Sequence, residues 1–176
     1  MTQENIQSPE KVTFKKPGSE DWERFRKIRL EALQTDPQAF GGNFENELQE
    51  NELYWREKLS NQDRSFYVAE ENSDFVATAG ARKIDDTEWM LSTIYTSPSS
   101  RGKGISNELL LRVIHEAKKS GVKKVSLNVN SEQENAVDLY KKLGFKIIAE
   151  GKGIQMGDGI IHHEYYMEKE LDSLLD

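Results

Sequence analysis

The sequence of 176 residues contains no cysteine, few prolines and no long apolar run. The absence of cysteine excludes disulfides, thiolate metal sites and a cysteine nucleophile within these residues. No apolar run reaches the roughly 18 residues that a membrane-spanning helix needs, so we predict no membrane partner. Residues 1–10 lack the basic patch and the apolar stretch of a secretion signal, and we expect a flexible leader on a cytoplasmic protein.

Basic residues are also fewer than acidic ones. The chain has 24 Lys and Arg against 31 Asp and Glu, which gives a formal net charge of −7. A protein that binds nucleic acid chiefly through its phosphates needs a basic surface, so we predict no nucleic-acid partner. The length suits one domain with a sizeable core, and we expect that domain to cover residues 11–172.

The residue pattern predicts a mixed α/β domain in the order β α α β β β α β α β β. The predicted strands cover residues 12–16, 65–70, 75–82, 88–95, 124–129, 145–150 and 163–171. The predicted helices cover residues 20–34, 48–59, 105–120 and 132–143. A loop with four glycines is expected at residues 151–159.

Two of the predicted helices have distinctive sequence signals. Ile105, Leu109, Val113 and Ala117 recur at four-residue steps, which indicates one apolar helix face. The segment Ser131-Glu132-Gln133-Glu134 has the pattern of a capping box and predicts that the next helix begins near its second residue.

A glycine-rich loop joins the strand predicted at 88–95 to the helix predicted at 105–120. Its sequence is Arg101-Gly102-Lys103-Gly104-Ile105-Ser106. The first turn of a helix has free N–H groups and the positive end of the dipole, so this position suits a phosphate. The spacing fits neither a Walker loop, because Gly104 follows Lys103, nor a dinucleotide fingerprint, because Asn107 replaces its third glycine. A flexible, charged turn is the alternative interpretation.

The same loop resembles the pyrophosphate loop of the GNAT N-acetyltransferases, which reads Arg/Gln-x-x-Gly-x-Gly/Ala. Arg101 and Gly104 match this pattern, and Ser106 stands at its last small residue. The segment Asn135-Ala136-x-x-Leu139-Tyr140-x-x-Leu143-Gly144-Phe145 resembles the family's second cofactor-side motif. Residues 28–41 are similar to the opening helices of one bacterial branch, and residues 164–169 to the closing strand.

The resemblance implies the GNAT acyl-CoA N-acyltransferase fold, a central, mostly antiparallel sheet flanked by helices. Two parallel strands, one ending at Tyr95 and the next beginning at Lys124, would splay apart to admit acetyl-CoA as the cosubstrate. A backbone N–H near Ile94 would bind the thioester carbonyl. The implied coenzyme-binding residues are Ile94, Tyr95, Thr96, Arg101, Gly102, Lys103, Gly104, Ile105, Ser106, Asn135 and Tyr140.

The resemblance also implies an acid and a base. Tyr140 matches the family's general acid, and packing in the core is the alternative role. The matched base position is Met90, which cannot accept a proton, but Glu88 lies two residues earlier on the same strand face. Glu88 either acts as a base, directly or through water, or is a charge that discourages edge-strand aggregation. Since no cysteine is present, we expect direct attack in a ternary complex.

The expected acceptor is a primary amine of a small molecule, peptide or protein. The resemblance places the acceptor beside residues 36–48, with Phe40 and Asn43 as candidate contacts. Adjacent strand residues point to opposite faces, so His162 and His163 do not form a pair of metal ligands and we predict no metal. The predicted function is N-acetyl transfer, and the alternative is a catalytically weak domain that binds or senses coenzyme A. Both a monomer and a homodimer remain open.

Overall fold

The computed structural model describes residues 11–171, so the predicted leader at residues 1–10 lies outside it. The strands are β1 (Thr13–Lys15), β2 (Arg64–Glu71), β3 (Asp74–Lys83), β4 (Glu88–Thr96), β5 (Lys124–Asn130), β6 (Lys146–Glu150), β7 (Ile154–Gln155), β8 (Ile161–His162) and β9 (Glu164–Glu170). The α-helices are α1 (Trp22–Thr35), α2 (Phe44–Leu48), α3 (Glu52–Ser60), α4 (Ile105–Lys119) and α5 (Glu134–Lys142). Among the helices of this described part, none is both long enough and apolar enough to cross a bilayer.

Seven strands form one sheet in the order β1-β2-β3-β4-β5-β9-β6, while β7 and β8 form a separate hairpin. All neighbours in the large sheet are antiparallel except β4 and β5, which are parallel. Their pairing runs only from Glu88–Lys124 to Met90–Ser126. The remainder of β4 lacks a partner on the β5 side, which confirms the predicted mixed sheet with splayed parallel strands.

Helices cover the two faces of the sheet with two separate apolar clusters. On one face, α4 and α5 pack against β3, β5 and β9, with Leu109 and Leu127 fully buried between them. On the other face, α1 and α3 pack against β2, where the Phe25 and Phe66 rings meet edge-on at 4.9 Å. Burying a side chain of this size contributes about 1.5–3 kcal/mol, so these clusters hold the sheet between its helices.

A β-bulge interrupts β4 in its middle. Ser92 pairs with Gly80 and Tyr95 pairs with Thr78, so β4 has one extra residue in this stretch, and Thr93 takes a positive φ of 55°. Leu91 belongs to the cluster under α4, whereas Tyr95 belongs to the cluster under α1. An unbroken strand would direct both side chains to one face, so the bulge reverses the alternation where the two parallel strands separate.

Three predicted elements differ from the structure. The helix expected at residues 48–59 is two helices, because Asn51 caps the first turn of α3 through the Tyr54 N–H. The capping box at residues 131–134 is wrong: α5 has no side-chain cap, and the Asn130 carboxamide oxygen accepts the Glu132 N–H at 2.9 Å instead. The glycine-rich segment 151–159 contains a short strand, β7, and not only a loop.

Candidate active site

A cavity of about 820 Å³ opens where β4 and β5 separate. Its walls come from both faces of the sheet and from both strands. They comprise Met90–Thr96 of β4, Asn128 and Val129 of β5, residues 132–136, Leu139 and Tyr140 around α5, Arg29, Asp36 and residues 38–41, Arg101, Ser106 and Glu164. The glycine-rich loop at residues 101–106 and the motif that begins at Asn135 lie some thirty residues apart in the sequence. The structure brings residues of both to a single cavity.

The N-terminus of α4 faces a second cavity, of about 190 Å³, which shares Thr96, Arg101 and Ser106 with the larger one. No side chain caps α4, whose N-cap residue is Gly104. Gly102 and Gly104 have φ of 78° and 76°, a conformation that favours glycine. A Cβ at either position would meet no heavy atom within 4 Å, so the space above the loop is open. The free N–H groups and the dipole of this first turn fit an anion.

The charged residues of the loop are held by acidic neighbours. Arg101 pairs with Asp36 at 2.6 Å and donates from Nε to the Thr96 carbonyl at 2.9 Å. Lys103 Nζ lies 3.3 Å from Glu71 Oε1. Both cations remain about half exposed, at 46% and 47% of their side-chain area. Arg101 thus joins the loop before α4 to the end of α1.

The predicted β4 contacts lie along the separated part of the strand. Ile94, Tyr95 and Thr96 all line the cavity. Tyr95 is buried, and its hydroxyl donates to Glu31 at 3.0 Å, whereas the Thr96 hydroxyl lies 2.8 Å from the Ser106 hydroxyl. This last contact ties the end of β4 to the first turn of α4. The unpaired backbone edge of β4 can accept an extended chain as an added strand would be accepted.

Helix α5 places Asn135 and Tyr140 on the cavity wall. Asn135 is exposed in the first turn, while Tyr140 is 6% exposed and packs edge-on against Phe145 with ring centroids 6.0 Å apart. Burial raises the pKa of the Tyr140 hydroxyl above its usual range, so the phenol stays protonated at neutral pH. Core packing and contact with the cavity are therefore combined in one residue.

Glu88 lies at the paired end of β4, away from the walls of the cavity. Its carboxylate accepts hydrogen bonds from the Ser126 hydroxyl and, at 3.1 Å, from the Tyr166 hydroxyl. Lys124 Nζ lies 3.2 Å from its second oxygen and also pairs with Glu168. This polar network occupies the carboxylate at the end of the sheet opposite to the splay.

The two predicted acceptor contacts are placed differently. Phe40 is buried, lines the cavity, and lies under the Arg29 guanidinium at 5.1 Å from the ring centroid. Arg29 itself is held by Glu47 through two hydrogen bonds of 2.9 and 2.6 Å. Asn43 caps α2 by accepting the Asn46 N–H at 3.1 Å, and it is not part of the wall.

The β7–β8 hairpin is joined to two residues of the cavity wall, Phe40 and Glu132. Gly157 N–H donates to the Phe40 carbonyl at 2.8 Å, and His162 lies between Asp158 at 2.7 Å and Glu132 at 3.1 Å. The hydrogen bond that the His162 ring donates to the Asp158 carboxylate is the largest effect that raises the pKa of His162. His162 therefore fastens the hairpin to the start of α5. Within residues 11–171, no group of three His, Asp or Glu side chains is arranged to hold a metal ion.

Several wall or near-wall residues were not identified from the sequence, among them three polar residues of β5 and β9. Asn130 is 2% exposed and donates to the Gln38 carbonyl at 3.2 Å, which holds the segment after α1 against β5. Asn128 and Glu164 line the cavity from β5 and β9. The polar residues at alternate positions 128 and 130 are recognisable in the sequence as one polar strand face. The position of Glu164, in contrast, depends on the pairing of β5 with β9.

Comparison with known proteins places the chain in a family. The family model for the acetyltransferase (GNAT) family matches residues 22–145. N-acetyltransferase 8B of Homo sapiens is 36% identical over 86 residues, which are 46% of this chain and 38% of that protein. The L-methionine sulfoximine/L-methionine sulfone acetyltransferase of Salmonella typhimurium is 25% identical over 127 residues, which are 70% of this chain and 74% of that enzyme.

The chain thus matches less than half the length of the human relative. The solved structure of yncA from Salmonella typhimurium, which contains acetyl-CoA as its cofactor, has the same fold at a TM-score of 0.75. It is 23% identical, and the match covers 94% of this chain and 97% of that one. Because the family model covers more than half of the 176 residues, the chain belongs to the acetyltransferase (GNAT) family.

Proposed function

We propose that the chain transfers an acetyl group from acetyl-CoA to a primary amine of a small molecule, peptide or protein, by direct attack in a ternary complex. One observation carries this proposal: the uncapped N-terminus of α4 opens into the cavity between the separated strands β4 and β5. The anion site at the helix terminus adjoins the extended cleft between the strands. A coenzyme with a diphosphate and a long arm requires both.

The diphosphate end fits the loop and the first turn of α4. Gly102 and residues 104–107 line the smaller cavity, and the half-exposed Arg101 and Lys103 add positive charge. Each charge-assisted bond to a phosphate oxygen is stronger than a neutral one. The arm would lie along Ile94 and Thr96 of β4 and reach Asn135 of α5.

The acetyl group would lie beside the bulge of β4. A backbone N–H near Ile94, freed from a β5 partner, is the proposed donor to the carbonyl oxygen as negative charge develops on it. Such a donor typically contributes about 3 kcal/mol to lowering the barrier, because it is already oriented before the reaction begins.

Tyr140 is the proposed acid that protonates the departing sulfur. Tyr140 lines the cavity, and its hydroxyl is protonated at neutral pH because burial raises its pKa. The absence of cysteine from the 176 residues excludes an acetyl-cysteine step within them, which favours direct attack by the amine.

A thiol-release assay with acetyl-CoA and a panel of amines tests this function. The panel should contain small primary amines, amino acids such as L-methionine sulfone, and peptides with free N-termini. We expect thiol release with at least one amine and intersecting lines in double-reciprocal plots, whereas a covalent intermediate would give parallel lines. Thermal stabilisation by coenzyme A without thiol release from any amine would instead support the sensing alternative, and absence of both effects would contradict coenzyme binding.

A further inference from the structure

The charged side chains on the cavity wall are paired, with two exceptions. Asp36 pairs with Arg101 at 2.6 Å, and Glu132 pairs with His162 at 3.1 Å. In the described part of the chain, the Glu164 carboxylate makes neither a hydrogen bond nor an ion pair. A half-buried carboxylate without a protein partner keeps only part of its hydration, so it is available to pair with a cationic ligand in the cavity.

The second exception differs from Glu164 in its surroundings. Glu134 is exposed in the first turn of α5, where its charge complements the helix dipole. Water and the helix dipole therefore stabilise the Glu134 carboxylate without a further partner. Glu164 has no comparable partner. It stands at the start of β9 opposite Asn130 of β5, whose carboxamide is engaged by the Gln38 carbonyl and the Glu132 N–H.

Strand register places Glu164 on the face of the sheet that the segment after α1 covers. It shares that face with Asn128 and Asn130, since alternate residues of paired strands point the same way. Asn130 touches the segment after α1 on this face through the Gln38 carbonyl. Tyr140 belongs to the apolar cluster on the opposite face, under α4 and α5. The Glu164 carboxylate and the Tyr140 phenol thus approach the cavity from opposite faces of the sheet.

We infer that Glu164 is the general base that takes a proton from the ammonium form of the acceptor, and that the chain therefore acts on amines that arrive as cations. This inference rests on the proposed acetyl transfer and names the base that it needs. Burial raises the pKa of the Glu164 carboxylate, which brings it closer to the neutral range where a general base works best.

The proton and electron changes balance as follows. The ammonium group loses one proton to Glu164, and the nitrogen lone pair forms a bond to the acetyl carbonyl carbon. The carbon–sulfur bond breaks, and its electron pair leaves with sulfur, which takes the Tyr140 proton. The nitrogen loses its second proton through solvent, which restores Tyr140. Glu164 then releases its proton to water, so one proton is set free for each acetyl group transferred.

Few other titratable groups act on Glu164. On its own strand, Tyr166 is engaged by Glu88 and Glu168. From the neighbouring segments, Arg101 is engaged by Asp36 and His162 by Glu132 and Asp158. Arg29 on α1 is held by Glu47, and Glu134 on α5 lies in solvent. The acidic limb of a pH–rate profile should therefore report Glu164.

Glu164→Gln tests the inference, with Glu150→Gln on the adjacent strand β6 as a control outside the cavity. General base catalysis typically contributes about 100-fold or more, so kcat/KM for a basic amine should fall by that factor in Glu164→Gln. The acidic limb of the profile should disappear, while the affinity for coenzyme A stays unchanged. A weakly basic amine that is already neutral at pH 7 should lose much less. Glu150→Gln should behave as the unmodified chain.

The outcomes separate the two proposals. If the unmodified chain acetylates amines and Glu164→Gln keeps its activity and pH profile, the base assignment is wrong while acetyl transfer stands. If the unmodified chain releases no thiol with any amine, acetyl transfer fails and the base assignment fails with it. Loss of activity in Glu164→Gln together with loss of coenzyme affinity would also overturn the assignment, since it would indicate structural damage.

Thermal unfolding supplies a readout that does not depend on activity. A carboxyl whose pKa is higher in the folded state than in the unfolded state, as for Glu164, destabilises the fold as pH rises through and above that interval. Glu164→Gln should therefore raise Tm at pH 8 and leave it unchanged at pH 4. A lower Tm at pH 8 would show that the carboxylate has a stabilising partner and would contradict the inference.

Discussion

The two sides of the cavity that we propose for the coenzyme and for the acceptor are built in different ways. The proposed coenzyme side is mainly one continuous stretch, from β4 through the glycine loop into α4, completed by Asn135 and Tyr140 of α5, and this stretch offers mainly backbone groups. The proposed acceptor side is assembled from separate segments that place the side chains of Phe40, Asn128 and Glu164 on the wall, and Gly157 bonds to the Phe40 carbonyl. A backbone site of this kind can serve one invariant ligand, whereas a surface made of side chains can change its acceptor without altering the fold.

Tyr140→Phe removes the proposed acid at the junction of the two sides and should have the largest effect. Without the hydroxyl, the departing sulfur has no proton donor, and kcat should fall by about 100-fold. The ring contact with Phe145 remains, so Tm and coenzyme affinity should change little. Steady-state kinetics and thermal unfolding measure these quantities, and an unaltered kcat would remove Tyr140 from the mechanism.

Asn107→Asp sharpens the comparison on the coenzyme side. The new carboxylate would lie in the first turn of α4, where it complements the helix dipole by about 0.3–1 kcal/mol but repels a diphosphate. We expect a higher Tm without ligand and a rise of about tenfold or more in the Kd of coenzyme A, since charges this close interact by several kcal/mol. Calorimetric titration measures the Kd.

Asn51→Asp is the matched control for that variant. It adds the same charge at the N-cap of α3, where the side chain already accepts the Tyr54 N–H. Its Tm should rise as well, but its affinity for coenzyme A should stay as it was. Equal weakening by both variants would indicate an effect of net charge and not of the α4 terminus.

Gly157→Ala tests the acceptor side and should have the smallest effect. The added Cβ would lie 2.5 Å from the Gly42 carbonyl oxygen and 3.0 Å from that of Pro37, so the hairpin must shift. Loss of the hydrogen bond to Phe40 costs about 0.5–1.5 kcal/mol, which corresponds to a rise of up to about tenfold in the KM of the amine. The KM of acetyl-CoA should not change.

Gly153→Ala serves as its control in the same hairpin. Its new Cβ would meet only the Ile161 side chain closely, and that side chain is 68% exposed and free to move. Kinetics with the same amine should therefore match the unmodified chain. A change in the KM of acetyl-CoA in Gly157→Ala would contradict the separation of the two sides.

The sequence indicates the proposed coenzyme side more fully than the proposed acceptor side for a physical reason. Gly102, Gly104 and the periodic helix that follows are adjacent in the chain, so local spacing alone indicates an anion site. The parallel arrangement of β4 and β5 followed from the family resemblance and is confirmed. The bulge at Thr93 and the hairpin over Phe40 depend on contacts between distant segments, which local patterns do not encode.

Glu88 and Glu164 illustrate the same limit at the level of single residues. Strand alternation correctly places Glu88 on one face with Met90, but it does not reveal that Ser126, Lys124 and Tyr166 engage its carboxylate. Glu164 stands 70 residues from Ile94 in the sequence, and only the β5–β9 register brings it to the cavity. The candidate base thus follows from topology and not from a motif.

Amide NMR spectra of the ¹⁵N-labelled chain during titration with coenzyme A test the central claim most directly. If main-chain amides at the start of α4 hold the diphosphate, the largest shifts will occur from Gly102 to Asn107, and pantetheine, which lacks the diphosphate, will leave these amides unchanged. Unmoved amides in that turn at saturating coenzyme A, or equal shifts with pantetheine, would contradict the account.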